Sequence, residues 1–123
     1  MVEKVRRRWE ADRPGVERVF DLIGACVVRG VEALAGGEMR RFADMINRNQ
    51  EALDGLGLSC PQVDAMIGIA RDAGADAAKL TGAGGGGCVF ALAPGREERV
   101  LDAWRFHGFA GWKVSARPQE RPA

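Results

Sequence analysis

The 123 residues, 46% of them hydrophobic, suffice for one domain with a moderate core. Eighteen basic against 17 acidic side chains leave a net charge of +1, which offers no basic field to nucleic acid or an anionic membrane. Cys26, Cys60 and Cys88 are odd in number and far apart, no CxxC pair occurs, and His107 is the single histidine. That pattern argues against a disulfide framework or a structural zinc site and fits a reduced, cytoplasmic compartment. The charged start lacks the apolar stretch of a signal peptide, and no run approaches the roughly 18 apolar residues that cross a bilayer.

Residues 2–11 are charged and read as a short helix ending near Arg13-Pro14-Gly15, because the residue before a proline is pushed out of the α region. Val5 and Trp9, four apart, would pin it to the body. Residues 16–35 carry Val16, Val19, Phe20, Ile23, Val27, Val31 and Leu34 at helical spacing, predicting a helix buried on that stripe. Gly24 and Gly30 each weaken it by about 1 kcal/mol relative to alanine, or permit close packing. Gly36-Gly37 ends it.

Residues 38–56 form a second amphipathic pattern through Met39, Phe42, Ile46, Leu53 and Leu56. Asn49 falls on that stripe, within the amide-rich run Asn47-Arg48-Asn49-Gln50. Either Asn49 bonds a neighbouring element inside the fold or this turn faces a ligand cleft. A third helix starts near Ser59-Cys60-Pro61-Gln62. Ser59 and Gln62 have capping-box spacing, while a start with Cys60 at the cap and Pro61 in the first turn is the alternative. Val63, Met66, Ile67 and Ala70 point inward, and Gly74 stops it.

Residues 77–81 and 88–93 are short apolar runs, the second ended by Pro94-Gly95, and read as strands around a glycine-rich loop. A fourth helix spans 96–107 with Val100, Leu101 and Trp104 inward. Residues 109–116 alternate as a last strand, and 117–123, with two prolines, read as a frayed tail. A helical block followed by strand, strand, helix, strand predicts an α+β sandwich, a small antiparallel sheet covered on one face by helices.

The loop segment reads Lys79-Leu80-Thr81-Gly82-Ala83-Gly84-Gly85-Gly86-Gly87-Cys88. Its spacing satisfies the dinucleotide fingerprint, but a strand rather than a helix follows. It satisfies the protein-kinase glycine loop, but the other kinase motifs are missing. It lacks the Gly-Lys-Ser/Thr of a P-loop. A tight hairpin accounts for two glycines and leaves three unexplained. Glycine amides can form a concave nest for an anion, with Thr81 as a hydroxyl donor.

This segment resembles the third conserved motif of the GHMP kinases, with wording most similar to the mevalonate kinases and a comparable loop in heptose-phosphate kinases. Residues 47–59 and Cys60-Pro61-Gln62-Val63-Asp64 resemble the stretches that precede and start the next helix in that family, and Asp72-Ala73-Gly74-Ala75 also fits. The likeness covers residues 4–116.

The resemblance implies the ferredoxin-like C-terminal domain at 1–116, with a strand expected just before Val2 and hence a sheet short of one strand. It implies that the N-terminal domain, with the main phosphate loop, the catalytic aspartate and the magnesium ligands, lies outside these residues. ATP with Mg2+ would be held mainly there, and that domain would act in cis or in trans. Thr81, Gly82, Ala83, Gly84, Gly85 and Gly86 would face the ATP phosphates. Asn49, Gln50 and Lys79 are candidates for the acceptor side, though a lysine at such a position is often only a solvated strand residue. Cys88 is expected as a small core residue, His107 as a helix cap or surface group, and Asp76 as a residue leading into its strand rather than a base. The implied reaction is ATP-dependent phosphorylation of the primary hydroxyl of mevalonate, with a homodimer as a further expectation. Another acceptor within the family, a non-catalytic binding module and an orphan fragment remain as alternatives.

Overall fold

The structure, a computed structural model, describes residues 2–81 and 88–114. Its elements run α1 (Val2–Ala11), α2 (Arg13–Ala35), α3 (Met39–Gly55), α4 (Pro61–Asp72), β1 (Ala77–Thr81), β2 (Cys88–Leu92) and α5 (Glu97–Phe106).

Pro14 opens α2 instead of closing α1. Asp12 is the N-cap, its carboxylate accepting from the Gly15 N–H at 3.2 Å, and Pro14 sits in the first turn, where a missing N–H costs nothing. The Arg13 guanidinium lies 4.7 Å over the Trp9 ring, and Trp9 tilts against Phe20, so α1 is pinned to α2 through Trp9 as expected. At the start of α4, Cys60 is the N-cap with Pro61 next; the Ser59 hydroxyl reaches Asp64 instead of closing a capping box with Gln62. Gly37, Gly57, Gly74 and Gly108, all at positive φ, follow the C-caps of α2, α3, α4 and α5.

The buried face of α2 differs from the expected one. Val16, Cys26, Gly30 and Ala33 are buried, while Phe20, Val27, Val31 and Leu34 are exposed. The small residues win because they let α2 approach α3 closely. A Cβ built on Gly30 would stand 3.6 Å from the Met45 Cβ. The bulkier stripe is left on the outside.

β1 and β2 pair antiparallel, with Ala77 opposite Leu92 and Thr81 opposite Cys88. One face of this sheet, through Ala78 and Leu80, packs on Val63, Ile67 and Ala70 of α4 and on Val100, Leu101 and Trp104 of α5. Trp104 Nε1 donates to the Met66 carbonyl at 3.0 Å and ties the two helices together. Ala77 packs the other way, on Ala43 and Ile46 of α3. This is the expected α+β arrangement. The strand expected over 109–116 does not form within 109–114, because that stretch lies along α5 without a strand beside it; residues 115–123 lie outside the described part.

Candidate functional site

Short apolar runs make β1 and β2, and their antiparallel register makes them the two arms of one hairpin. Residues 82–87 connect the arms. Gly82, Ala83, Gly84, Gly85 and Gly86, singled out in the sequence, lie outside the described residues. Thr81 and Cys88 face each other at the base of the connection, and both are exposed. Cys88 is therefore not the small core residue expected: its strand is at the sheet's edge, and its side chain lines an open groove.

The hairpin is gripped from outside by α3. Gln50 is 1% exposed. Its Oε1 accepts from the Leu80 N–H at 2.6 Å, and its Nε2 donates to Asp54 Oδ1 at 3.0 Å. Asn47 Oδ1 accepts from the Ala78 N–H at 3.3 Å, and its Nδ2 donates to the Asp76 carbonyl at 3.0 Å. A strand presents every second amide on one edge, about 6.6 Å apart, and two helix residues three apart rise about 4.5 Å on one face. Long amide side chains bridge that small mismatch. The sequence singled out Asn49 and Gln50 and passed over Asn47. The signal was the amide-rich run itself, since positions 47 and 50 share a helix face. Asn49 is buried beside them, and among the described residues no fully buried side-chain N or O atom is left without a hydrogen-bond partner.

Lys79 lies between Ala78 and Leu80 but points to the opposite face. It is half-buried, and burial holds its ammonium below the ordinary lysine range. Lys79 and Thr81 thus share the strand face opposite Ala78 and Leu80, toward the end of β1 that leads into residues 82–87. Asp76 leads into β1 as expected. Its N–H donates to the Leu92 carbonyl at 2.8 Å, and its carboxylate pairs with Arg96 at 3.4 Å. His107 is the exposed C-cap of α5, stacked edge-on against Phe106.

Beyond β2 lies an apolar groove of about 460 Å³, floored by Met66, Leu101 and Trp104 and walled on its far side by residues 109–114. Glu97 at the start of α5 and Lys113 on the far wall are its charged residues. The main-chain N–H groups of Glu97 and Gly95 hold the Glu97 carboxyl below the usual carboxylate range, and Lys113 adds to this. Among the described residues, no three His, Cys, Asp or Glu side chains converge as a metal-ligating cluster. No helix among them is long and apolar enough to cross a membrane.

Comparison with known proteins identifies the family of the chain. The family described as "GHMP kinases C terminal" matches residues 31–110. Mevalonate kinase from Pyrococcus horikoshii is 37% identical over 113 residues, covering 88% of this chain and 34% of that protein. The enzyme of that name from Pyrococcus abyssi is 38% identical with the same coverage. The chain therefore spans about a third of the length of the curated relatives it matches. Among solved structures, L. major mevalonate kinase in complex with R-mevalonate superposes with a TM-score of 0.79 at 25% identity, covering 85% of this chain and 33% of that one. Methanococcus jannaschii mevalonate kinase gives 0.58 at 28% identity, covering 85% and 31%.

Proposed function

Because this chain belongs to the GHMP kinases, as their C-terminal domain, we propose that it serves an ATP-dependent kinase whose acceptor is the primary hydroxyl of mevalonate. The observation that carries this reading is the hairpin around residues 82–87, fixed on its outer edge by Asn47 and Gln50 beside Lys79 and Thr81. Phosphoryl transfer demands positioning and electrostatic stabilisation more than covalent chemistry from the protein. In this reading Thr81 offers a hydroxyl, and the main chain of Gly82, Ala83, Gly84, Gly85 and Gly86 offers amides to the nucleotide phosphates. Lys79 and Asn49 take the acceptor side, and Gln50 acts by holding Leu80 and so the hairpin. A half-buried ammonium is a stronger partner for a phosphate than a solvated one, since less water screens it.

Magnesium, when bound, would neutralise phosphate charge. Its ligands, the catalytic base and the main phosphate loop belong in this reading to the N-terminal GHMP domain, joined in cis or supplied in trans. The reaction would be cytoplasmic, in an assembly that includes homodimers. The experiment supplies the 123 residues with an N-terminal GHMP kinase domain and Mg-ATP, then offers mevalonate, phosphomevalonate and a heptose phosphate in parallel. Mevalonate is expected to turn over fastest. Equal or better turnover of a sugar phosphate would reassign the acceptor.

A further inference from the structure

We propose that Asp54 and Arg71 are positioning residues for the phosphoryl transfer: each fixes which way round an amide side chain of α3 stands, and those two amides carry β1 with Lys79 and Thr81. The proposal rests on the kinase reading above and adds to it the residues that set the place of the hairpin.

Two main-chain N–H groups hold β1 to α3, Leu80 to Gln50 and Ala78 to Asn47. Both bonds need an acceptor on the side chain. A primary amide has an accepting and a donating end of nearly the same shape, and turned over it would set its NH2 against the strand's N–H. A charged neighbour of one polarity removes that choice, because an ionised carboxylate only accepts and a guanidinium only donates. Gln50 Nε2 donates to Asp54 Oδ1 at 3.0 Å, which leaves Oε1 toward the Leu80 N–H at 2.6 Å. Arg71 of α4 donates from Nη2 to Asn47 Oδ1 at 3.4 Å, the same oxygen that accepts from Ala78. Asn47 Nδ2 is then left for the Asp76 carbonyl, just before β1.

A carboxylate thus orients one amide and a guanidinium the other. Their contacts fall on alternate residues of β1, so together they fix its place along α3, where one alone would act as a pivot. Lys79, between the two, and Thr81, next to Leu80, take their positions from this pair of bonds. The location of Asp54 favours such a role. It stands in the last turn of α3, which carries no basic side chain, and a carboxylate there opposes the negative end of the helix. A local rule broken with no gain to the helix marks a residue whose work lies elsewhere. Arg8 of α1, donating to the adjoining Gly55 carbonyl, brings a cation to that end. Asp54 and Arg71 are both exposed, so replacing either leaves the core filled.

The test follows amide hydrogen exchange in the 123-residue chain, and steady-state kinetics of the same chain supplied with an N-terminal GHMP kinase domain. The Leu80 amide in Asp54→Leu and the Ala78 amide in Arg71→Leu should exchange about fivefold faster, the scale of one net hydrogen bond, and the KM values for Mg-ATP and mevalonate should rise by a similar factor. A merely structural role lowers the folded fraction, and with it kcat, and leaves both KM values unchanged. Gln50→Glu sets two carboxylates face to face with no donor between them and should lose as much. Adding Asp54→Asn returns the donor from the other side, while the new carboxylate still accepts from Leu80, and should recover most of the loss. Unchanged exchange, a fall in kcat alone, or a double variant no better than Gln50→Glu overturns the proposal, and with an active parent each of these leaves the kinase reading standing. A parent that phosphorylates none of the acceptors removes the kinase reading and this role with it.

Discussion

Gln50 shows how a residue in a candidate cleft can work from inside the fold. Its carbonyl and amide ends are both engaged, so an apolar replacement strands the buried Leu80 N–H. Gln50→Leu should lower unfolding stability by about 1–3 kcal/mol, the cost of an unsatisfied buried donor, measured by urea denaturation. Asn47→Ala should cost less, because Asn47 is only half-buried and water can reach Ala78. Lys79 has a stability signature of its own. Burial disfavours its charged form in the fold, so the unfolded chain holds that proton more tightly. The penalty is fully present below the lowered folded value and disappears as pH rises through the ordinary lysine range, so stability climbs with pH across that window. Lys79→Met should therefore be more stable than the parent at neutral pH, and the gap should narrow as pH climbs through that window. Thermal unfolding of both proteins across alkaline pH checks this, and a gap that is constant with pH would assign the gain to apolar packing alone.

At the scale of elements, helices α3, α4 and α5 and the hairpin are legible in the sequence, because period, glycine caps and the Pro94-Gly95 breaker agree with the packing. α2 is the instructive exception. Its periodicity identifies the helix but not its buried face, since the large residues are left outside and the small ones meet α3. Gly30→Ala should be neutral or stabilising by up to about 1 kcal/mol, because the added methyl makes an ordinary contact with Met45 and alanine is the better helix former. Gly30→Leu should push α2 off α3 and destabilise by about 1–3 kcal/mol, the usual cost of overpacking. Denaturant midpoints of the two variants would separate the alternatives, and equal midpoints would show that this contact does not set the helix spacing. Residues 109–114 failed as a strand for a different reason. Alternation marks a stretch that can pair, but pairing needs a neighbour, and here α5 is the neighbour.

For the whole molecule, the chain covers about a third of its curated relatives, and among its described residues no three His, Cys, Asp or Glu side chains converge. The 123 residues alone are accordingly expected to turn over no ATP in the presence of mevalonate, and a coupled assay that detects ADP release would contradict this. By itself the sequence determined the class of fold, the order of elements through α5, the hairpin and the family, because apolar period, glycine placement and the wording of residues 79–88 are local properties. The tertiary structure alone decided which face of α2 is buried, that Asn47 and Gln50 close the outer edge of β1, and that the outer edge of β2 stays open. Those outcomes depend on which elements meet across long sequence separations, and a sheet has two edges that the alternation of a single strand cannot tell apart.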